Sequence, residues 1–470
     1  MPGTAAAATK LAGLQTHLLW SDVDTQEMRR QLDLVKSSGA TITRVDVGWS
    51  SLQESGPGEF NAYHLGRLDA LVDAADARSI KLLLTFTTTP CWASTAPESL
   101  KQGCAGEWWS RDVSSYAPQN PDDYASALAR LAARYKGKVE AWEIWNEPNH
   151  DHFFKAPDPA AAYAAMVKAT YPAVKAADPD TTVVAGSLSQ SDHAFTARLY
   201  ELGIKGSFDA YSVHPYSDDY SPLDPRADQD PRYSFIRGVP AVRDVMLANG
   251  DTKPLWLTEA GYSTSPIRSH QRWRNGVSEE TQALYLKQQI QQVAKWPYVQ
   301  ATIWFNLKDT SSEVNDLYSN CGLRRWDGSA KPAWAAFQDG MAILTDGAQQ
   351  PGESPQQPIV PVTPIPPVIS VPPVTTEPPV TPVVPALPVA PAPPLAPVTP
   401  VAPAPPLAPV TPVAPAPPVV APPVTKRPPA KKAKRPTRKK RRAATTVRAT
   451  KASARKAAAK RMATARRGWR

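Results

Sequence analysis

The run VEAWEIWNEPN at residues 139–149 reads as a short β-strand that breaks off into polar residues, and the chain on either side decides what sheet it joins. From residue 10 to about 345, short β-rich stretches alternate with longer helical ones. Strands are expected at Leu11–His17, Thr41–Trp49, Lys81–Thr88, Val139–Trp145, Thr182–Ser187, Ala210–His214, Pro254–Glu259 and Gln300–Phe305. Between them, apolar residues recur at three- and four-residue steps in Thr25–Ser38, Ala62–Ser79, Pro121–Tyr135, Pro159–Ala177, Ala194–Leu202, Val239–Ala248 and Glu279–Lys295, the period of helices. Each crossover is long enough to return the chain to the same edge, so the strands run parallel. Eight such units predict an α/β fold, a (β/α)8 barrel over residues 10–345. An open doubly wound sheet would more often place a Gly-rich phosphate turn after its first strand, and no GxGxxG follows Leu11–His17.

Composition changes sharply beyond the barrel. Of the 52 prolines, 29 fall in residues 351–425, where APAPPLAPVTPV recurs every 12 residues. The stretch 346–425 reads as a low-complexity spacer in polyproline II, whose 75 most proline-rich residues would span up to ~230 Å at about 3.1 Å per residue. Residues 426–470 hold 20 Lys and Arg and no acid, leaving 33 bases against 43 acids in the rest of the chain. The formal charge of +10 thus describes neither part: residues 1–425 carry about −10 and the tail about +20. Such a tail buries almost nothing and repels itself, so it is expected to be a disordered cationic arm. Residues 1–9 read as an N-terminal extension without a basic n-region and apolar core, and no stretch approaches a membrane span.

Three cysteines, Cys91, Cys104 and Cys321, exclude a disulfide-built scaffold, and no Cys/His cluster has zinc-like spacing, so neither metal nor other cofactor is expected. Cys91 and Cys104 either bridge within one loop or remain free thiols, and spacing does not decide between these.

In a βα barrel the reactive groups come from the carboxyl ends of the strands. Glu147 closes the fourth strand and Glu259, in PLWLTEAGY at 254–262, closes the seventh. Two glutamates facing across a mouth suit hydrolysis of a glycosidic bond, one protonating the leaving oxygen and the other attacking the anomeric carbon. Trp-Asn-Glu-Pro at the fourth strand and Thr-Glu-Ala-Gly at the seventh resemble glycoside hydrolase clan A, a group of cellulase-type barrel enzymes, nearest to families 5 and 39, over residues 10–340.

The resemblance implies a retaining O-glycosyl hydrolase with Glu147 as acid/base and Glu259 as nucleophile. It implies that Asn146 bonds the sugar 2-hydroxyl and that Arg44 lies beneath Glu259 and favours its charged form. His214 and Tyr216, in Val-His-Pro-Tyr, match the position that orients the nucleophile, and Trp304 would be the floor under the reacting sugar. His17, at the end of the first strand, is a further substrate-binding candidate, with a structural hydrogen bond as its equal. Trp49, Trp92, Trp108 and Trp109 stand at strand ends or in the third loop, as sugar platforms or as core. Trp142 and Trp256, inside strands, read as core. Glu143 shares a face with Glu147 but lies deeper and is expected to be a structural acid, and Arg44 has the alternative of simply pairing with Asp46.

A carbohydrate substrate, a monomer and an exported or envelope-associated location are expected, with a cytoplasmic one left open by the missing signal peptide. The basic arm is expected to bind a polyanion: a cell-wall polymer, an anionic membrane surface or nucleic acid. The alternative function is a catalytically inactive carbohydrate-binding barrel tethered by that arm.

Overall fold

The computed structural model describes residues 9–225 and 230–345. The Pro-rich segment, the basic tail and all but the last residue of the N-terminal extension lie outside them. Eight parallel strands close in sequence order: β1 (Leu11–Gln15), β2 (Ile42–Gly48), β3 (Lys81–Thr87), β4 (Ala141–Ile144), β5 (Thr182–Ser189), β6 (Ala210–His214), β7 (Leu255–Ala260) and β8 (Val299–Trp304). Pairing of Leu14 with Trp304 seals β1 against β8. The (β/α)8 barrel read from the sequence is therefore the fold.

Most of the helices that wrap it begin where the chain supplies a side-chain cap. Asn120 and Asp158 accept from backbone N–H groups of the helices Pro121–Arg134 and Pro159–Ala177. In both, proline takes the first position, where its missing N–H costs nothing. The helix Phe235–Ala248 starts four residues before the expected Val239, carrying Pro240 inside it. An eighth long helix, Pro332–Thr345, closes the ring and was not among the expected ones. No helix of the described residues is long and apolar enough to cross a membrane.

The barrel interior is graded in polarity. Its floor is a plug of Ile42, Leu83, Ala141, Val184, Ala210, Trp256, Ala301 and Ile303, one residue from each of β2 to β8 with β8 giving two. Because side chains alternate, the next inward position is two residues on. There stand Arg44, Thr85, Glu143 and Ser212, all fully buried. One further step brings Asp46 on β2 and His214 on β6 to the mouth. The larger core lies outside the strands, between sheet and helices.

Cys91 and Cys104 are joined by a disulfide, which decides the question that spacing left open. The bond closes the loop after β3, where Cys91 packs with Ala96, Trp108 and Val113.

Candidate active site

Arg44 is the hub of the buried polar layer. Its Nε donates to Glu143 Oε2 at 2.7 Å, Nη1 to Gln15 Oε1 at 3.0 Å and to Glu259 Oε1 at 2.5 Å, and Nη2 to Asn146 Oδ1 at 2.8 Å. Burial alone would strip its charge, but Glu143, Glu259 and Asp46 more than reverse that and raise its pKa. Glu143 also accepts from Thr85 Oγ1 at 2.8 Å and Ser212 Oγ at 2.9 Å. Burial works against its charge, yet Arg44 and then His214 hold its pKa below the usual carboxylate range. Glu143 is thus the structural acid expected, and Arg44 is bound into the site through Glu259 as well as through its ion pair with Asp46, 3.7 Å away.

The end of β4 is shaped by two residues in the left-handed region, Trp145 (φ 66°) and Glu147 (φ 47°). Such backbone is costly for side-chain-bearing residues and persists only where its surroundings hold it. Tyr124 does so by donating to Phe86 O while accepting from Trp145 N, and Tyr163 by donating to Ile144 O while accepting from Gly186 N. Glu147 N donates to Ser187 O at 2.8 Å, and the reversal of the chain turns the Glu147 carboxylate over the mouth.

His214 Nδ1 lies 2.9 Å from Glu147 Oε1 and 3.8 Å from Glu259 Oε2, with Nε2 3.2 Å from Ser187 Oγ. Burial opposes its protonation, but the charge of Glu259 and the hydrogen bond and charge of Glu147 raise its pKa above the usual histidine value. Tyr216 donates from Oη to Glu259 Oε2 at 2.8 Å, and burial, then the charge of Glu259, hold its proton well above the usual tyrosine range. One ligand atom each from Glu147, His214 and Glu259 lie within 4.8 Å of one another. Among the described residues this is the grouping that offers a metal three ligands, and here the three side chains interact with one another.

The structure thus brings Arg44, Asn146, Glu147, His214, Tyr216 and Glu259 together. Other expected residues stand elsewhere. Trp304 is only 4% exposed and belongs to the outer core, its ring 6.3 Å from that of Tyr262. Inward phase on β8 runs through Ala301 and Ile303, so the ring that follows it to the mouth is Phe305, edge-on to His17 at 5.9 Å. Trp49 is core too: a helical turn, Trp49–Leu52, begins directly after β2 and buries the indole against Trp92 and Tyr124. Trp92 is partly buried, donating to Gln53 O. Trp108 is buried in the disulfide loop and Trp109 exposed, while Trp142 and Trp256 are core as expected.

His17 Nε2 lies 3.4 Å from Asn306 Nδ2, and burial pushes the His17 pKa down to about 4, so it is neutral at the mouth. Trp20 stacks on it at 4.1 Å and is 40% exposed, a platform that no strand pattern reveals because it lies in a loop. Tyr318 stands 66% exposed in the loop after β8. Asp46, taken from the sequence only as a possible partner for Arg44, reaches the mouth as a third carboxylate.

A family model described as cellulase, glycosyl hydrolase family 5, matches residues 3–300. The chain belongs to this family. Among solved structures, this family 5 barrel is similar to a family 39 glycoside hydrolase from Bacteroides cellulosilyticus WH2, with 21% identity and a TM-score of 0.58 over 73% of this chain and 66% of that one. It is also similar to a monomeric beta-xylosidase from Caulobacter crescentus CB15, with 21% identity and a TM-score of 0.52 over 71% and 69% of the two chains. A third is a family 5 subfamily 18 protein from Streptomyces cattleya in complex with GlcNAc, with 18% identity and a TM-score of 0.52 over 74% and 83%. At these identities the likeness is one of fold, and the chain spans just under two thirds of the length of the family 39 enzyme. No curated protein sequence matches it.

Proposed function

We propose that this family 5 chain is a retaining O-glycosyl hydrolase that cleaves a β-linked or pseudo-β poly- or oligosaccharide, with Glu147 as acid/base and Glu259 as nucleophile. The observation that carries the reading is the approach of a Glu147 and a Glu259 carboxylate oxygen to within 4.8 Å across one mouth. Retaining enzymes hold the pair ~5–5.5 Å apart, whereas inverting ones leave room for a water.

In the first step the Glu147 proton passes to the glycosidic oxygen as the C1–O bond breaks, and a Glu259 oxygen forms an ester to C1. In the second, water gives its proton to Glu147 while its oxygen bonds C1, and Glu259 leaves as a carboxylate. Arg44 and Tyr216 supply the two donors that receive that returning charge. Glu147 thus gives up its proton in the first step and regains one from water in the second, serving as acid and then base. Asn146, its Oδ1 occupied by Arg44, has its amide N–H groups for the sugar 2-hydroxyl.

Glu259→Ala should lose several orders of magnitude of turnover on an aryl β-glycoside, and azide should restore it with an α-glycosyl azide as product. Glu147→Ala with azide should give the β-azide from a substrate with a good leaving group. An inverted first product by proton NMR, or full activity in Glu259→Ala, would sink the reading, and an inactive binding barrel predicts no turnover even by the wild-type chain.

The reading extends to a monomeric protein that works outside the cytoplasm or at the envelope, with residues 426–470 attaching to a polyanion. The Cys91–Cys104 bond supports an oxidising compartment.

A further inference from the structure

Resting on that reading, we infer that Asp46 is a specificity-determining residue, a carboxylate that accepts hydrogen bonds from hydroxyls of the reacting sugar other than the 2-hydroxyl. Asp46 stands two residues beyond Arg44 on the inward face of β2, at the level of the mouth. Its side chain is 37% exposed, whereas that of Arg44 is fully buried. The ion pair with Arg44 does not account for all of Asp46. Arg44 spends its donors on Glu143, Gln15, Glu259 and Asn146, and the nearest Asp46 oxygen lies 3.7 Å off, beyond hydrogen-bond reach.

Asp46 instead accepts one hydrogen bond, from Gln15 Nε2 to Oδ2 at 3.1 Å. Gln15 is itself oriented by Arg44, which occupies its Oε1, so the amide holds the carboxylate in place without saturating it. Oδ1, 3.7 Å from Arg44 Nη1, accepts no hydrogen bond among the described residues. A carboxylate here also faces Glu259 and Glu143. Protein packed around it first, and then those two charges, against the pull of Arg44 and His214, push its carboxyl up to about 6. An amide would accept from Gln15 as well and avoid that repulsion. What an ionised carboxylate adds is acceptor capacity with no donor of its own, which suits sugar hydroxyls that have lost water.

A cluster of rings stands at the end of the neighbouring strand. His17, two residues beyond Gln15 on the neighbouring strand, is stacked on Trp20 and meets Phe305 edge-on. These rings offer the apolar face of a pyranose its contact while Asp46 reads its rim. Since Asn146 is assigned to the 2-hydroxyl, Asp46 is left with hydroxyls at C3, C4 or C6.

The test is a cycle on the full chain, using whichever of the 4-nitrophenyl β-glucoside, β-mannoside or β-xyloside it turns over fastest, with the monodeoxy analogues of that sugar. Asp46→Ala should lower kcat/KM about 10- to 100-fold, the usual weight of a hydrogen bond to a charged group. At least one deoxy analogue should suffer a similar loss with the wild-type chain and none beyond it with Asp46→Ala. Penalties that add fully for every analogue would overturn the assignment. Asp46→Asn, which keeps the Gln15 contact as an acceptor, serves as the folded control and should show the same non-additivity with a smaller loss. Labelling of Glu259 by a 2-deoxy-2-fluoro glycoside in the variant, read by mass spectrometry, separates the two claims: labelling with additive penalties sinks the Asp46 role alone, and labelling elsewhere sinks the mechanism.

Discussion

Tyr216 and His214 act on the two glutamates from one stretch of chain, and their removal should be felt differently. Tyr216→Phe deletes one of the two donors to Glu259 and leaves Arg44 in place. Turnover on an aryl β-glycoside should fall about 10- to 100-fold, the usual effect of a hydrogen bond to a charge, with little change in thermal midpoint. His214 matters for stability through its proton. Its folded pKa lies above the unfolded value of 6.5, so the native state binds that proton more tightly. The stabilisation is complete below pH 6.5 and drains away as pH rises through the folded value. The thermal midpoint lost in His214→Asn should therefore be largest near pH 6 and shrink toward pH 9. A deficit that grows with pH would show that the proton is not held by Glu147 and Glu259. The sequence makes both residues legible because His214 closes β6 and Tyr216 follows it within two residues. It hides the spare acceptor capacity of Asp46, since an acid beside an arginine reads as an ion pair, and only the routing of the guanidinium bonds reveals it.

At the scale of elements, the strands are legible because a parallel sheet covered on both faces writes itself as apolar runs, as in Lys81–Thr87. Their inner phase is legible as well, but it must be counted. Ile303 points in, so Phe305 and not Trp304 reaches the mouth, and choosing the tryptophan for its chemistry overlooks its phase. Trp49 is hidden for another reason: nothing in a strand's own pattern says that the next residue turns at once into a helix. Gly186 shows how local geometry builds the site. With φ at 108° it permits the irregularity in β5 between Ala185 and Leu188, and a Cβ there would lie 2.3 Å from Ser212 O. The same bend places Ser187 where its hydroxyl meets His214 and its carbonyl takes the Glu147 N–H. The loop after β3 is tied in addition by Cys91–Cys104, a closure spanning 13 residues. Replacing both cysteines with serine should cost about 3 kcal/mol in a denaturant titration, as the constraint on the unfolded chain is released. Hydrolysis of a small aryl glycoside should change little, because that loop supplies none of the donors to Glu147 or Glu259.

For the whole molecule, the charge division between residues 1–425 and 426–470 gives a distinct expectation. Deleting 426–470 should leave kcat on an aryl glycoside unchanged while abolishing retention on teichoic acid, anionic vesicles or DNA, whichever the full chain binds. For the intact chain the logarithm of that affinity should fall linearly with the logarithm of salt concentration, and a flat dependence would remove the electrostatic reading of the tail. The interior gradient from apolar plug to buried ion network to mouth carries a consequence for change over time. A single residue inserted in β2 ahead of Arg44 would swing the guanidinium out among the helices and take its donors from Glu143, Glu259 and Asn146 together. Length variation is thus forbidden in the staves of this vessel and free at its lip, so new specificities are to be reached by rebuilding the rim above an unaltered stem.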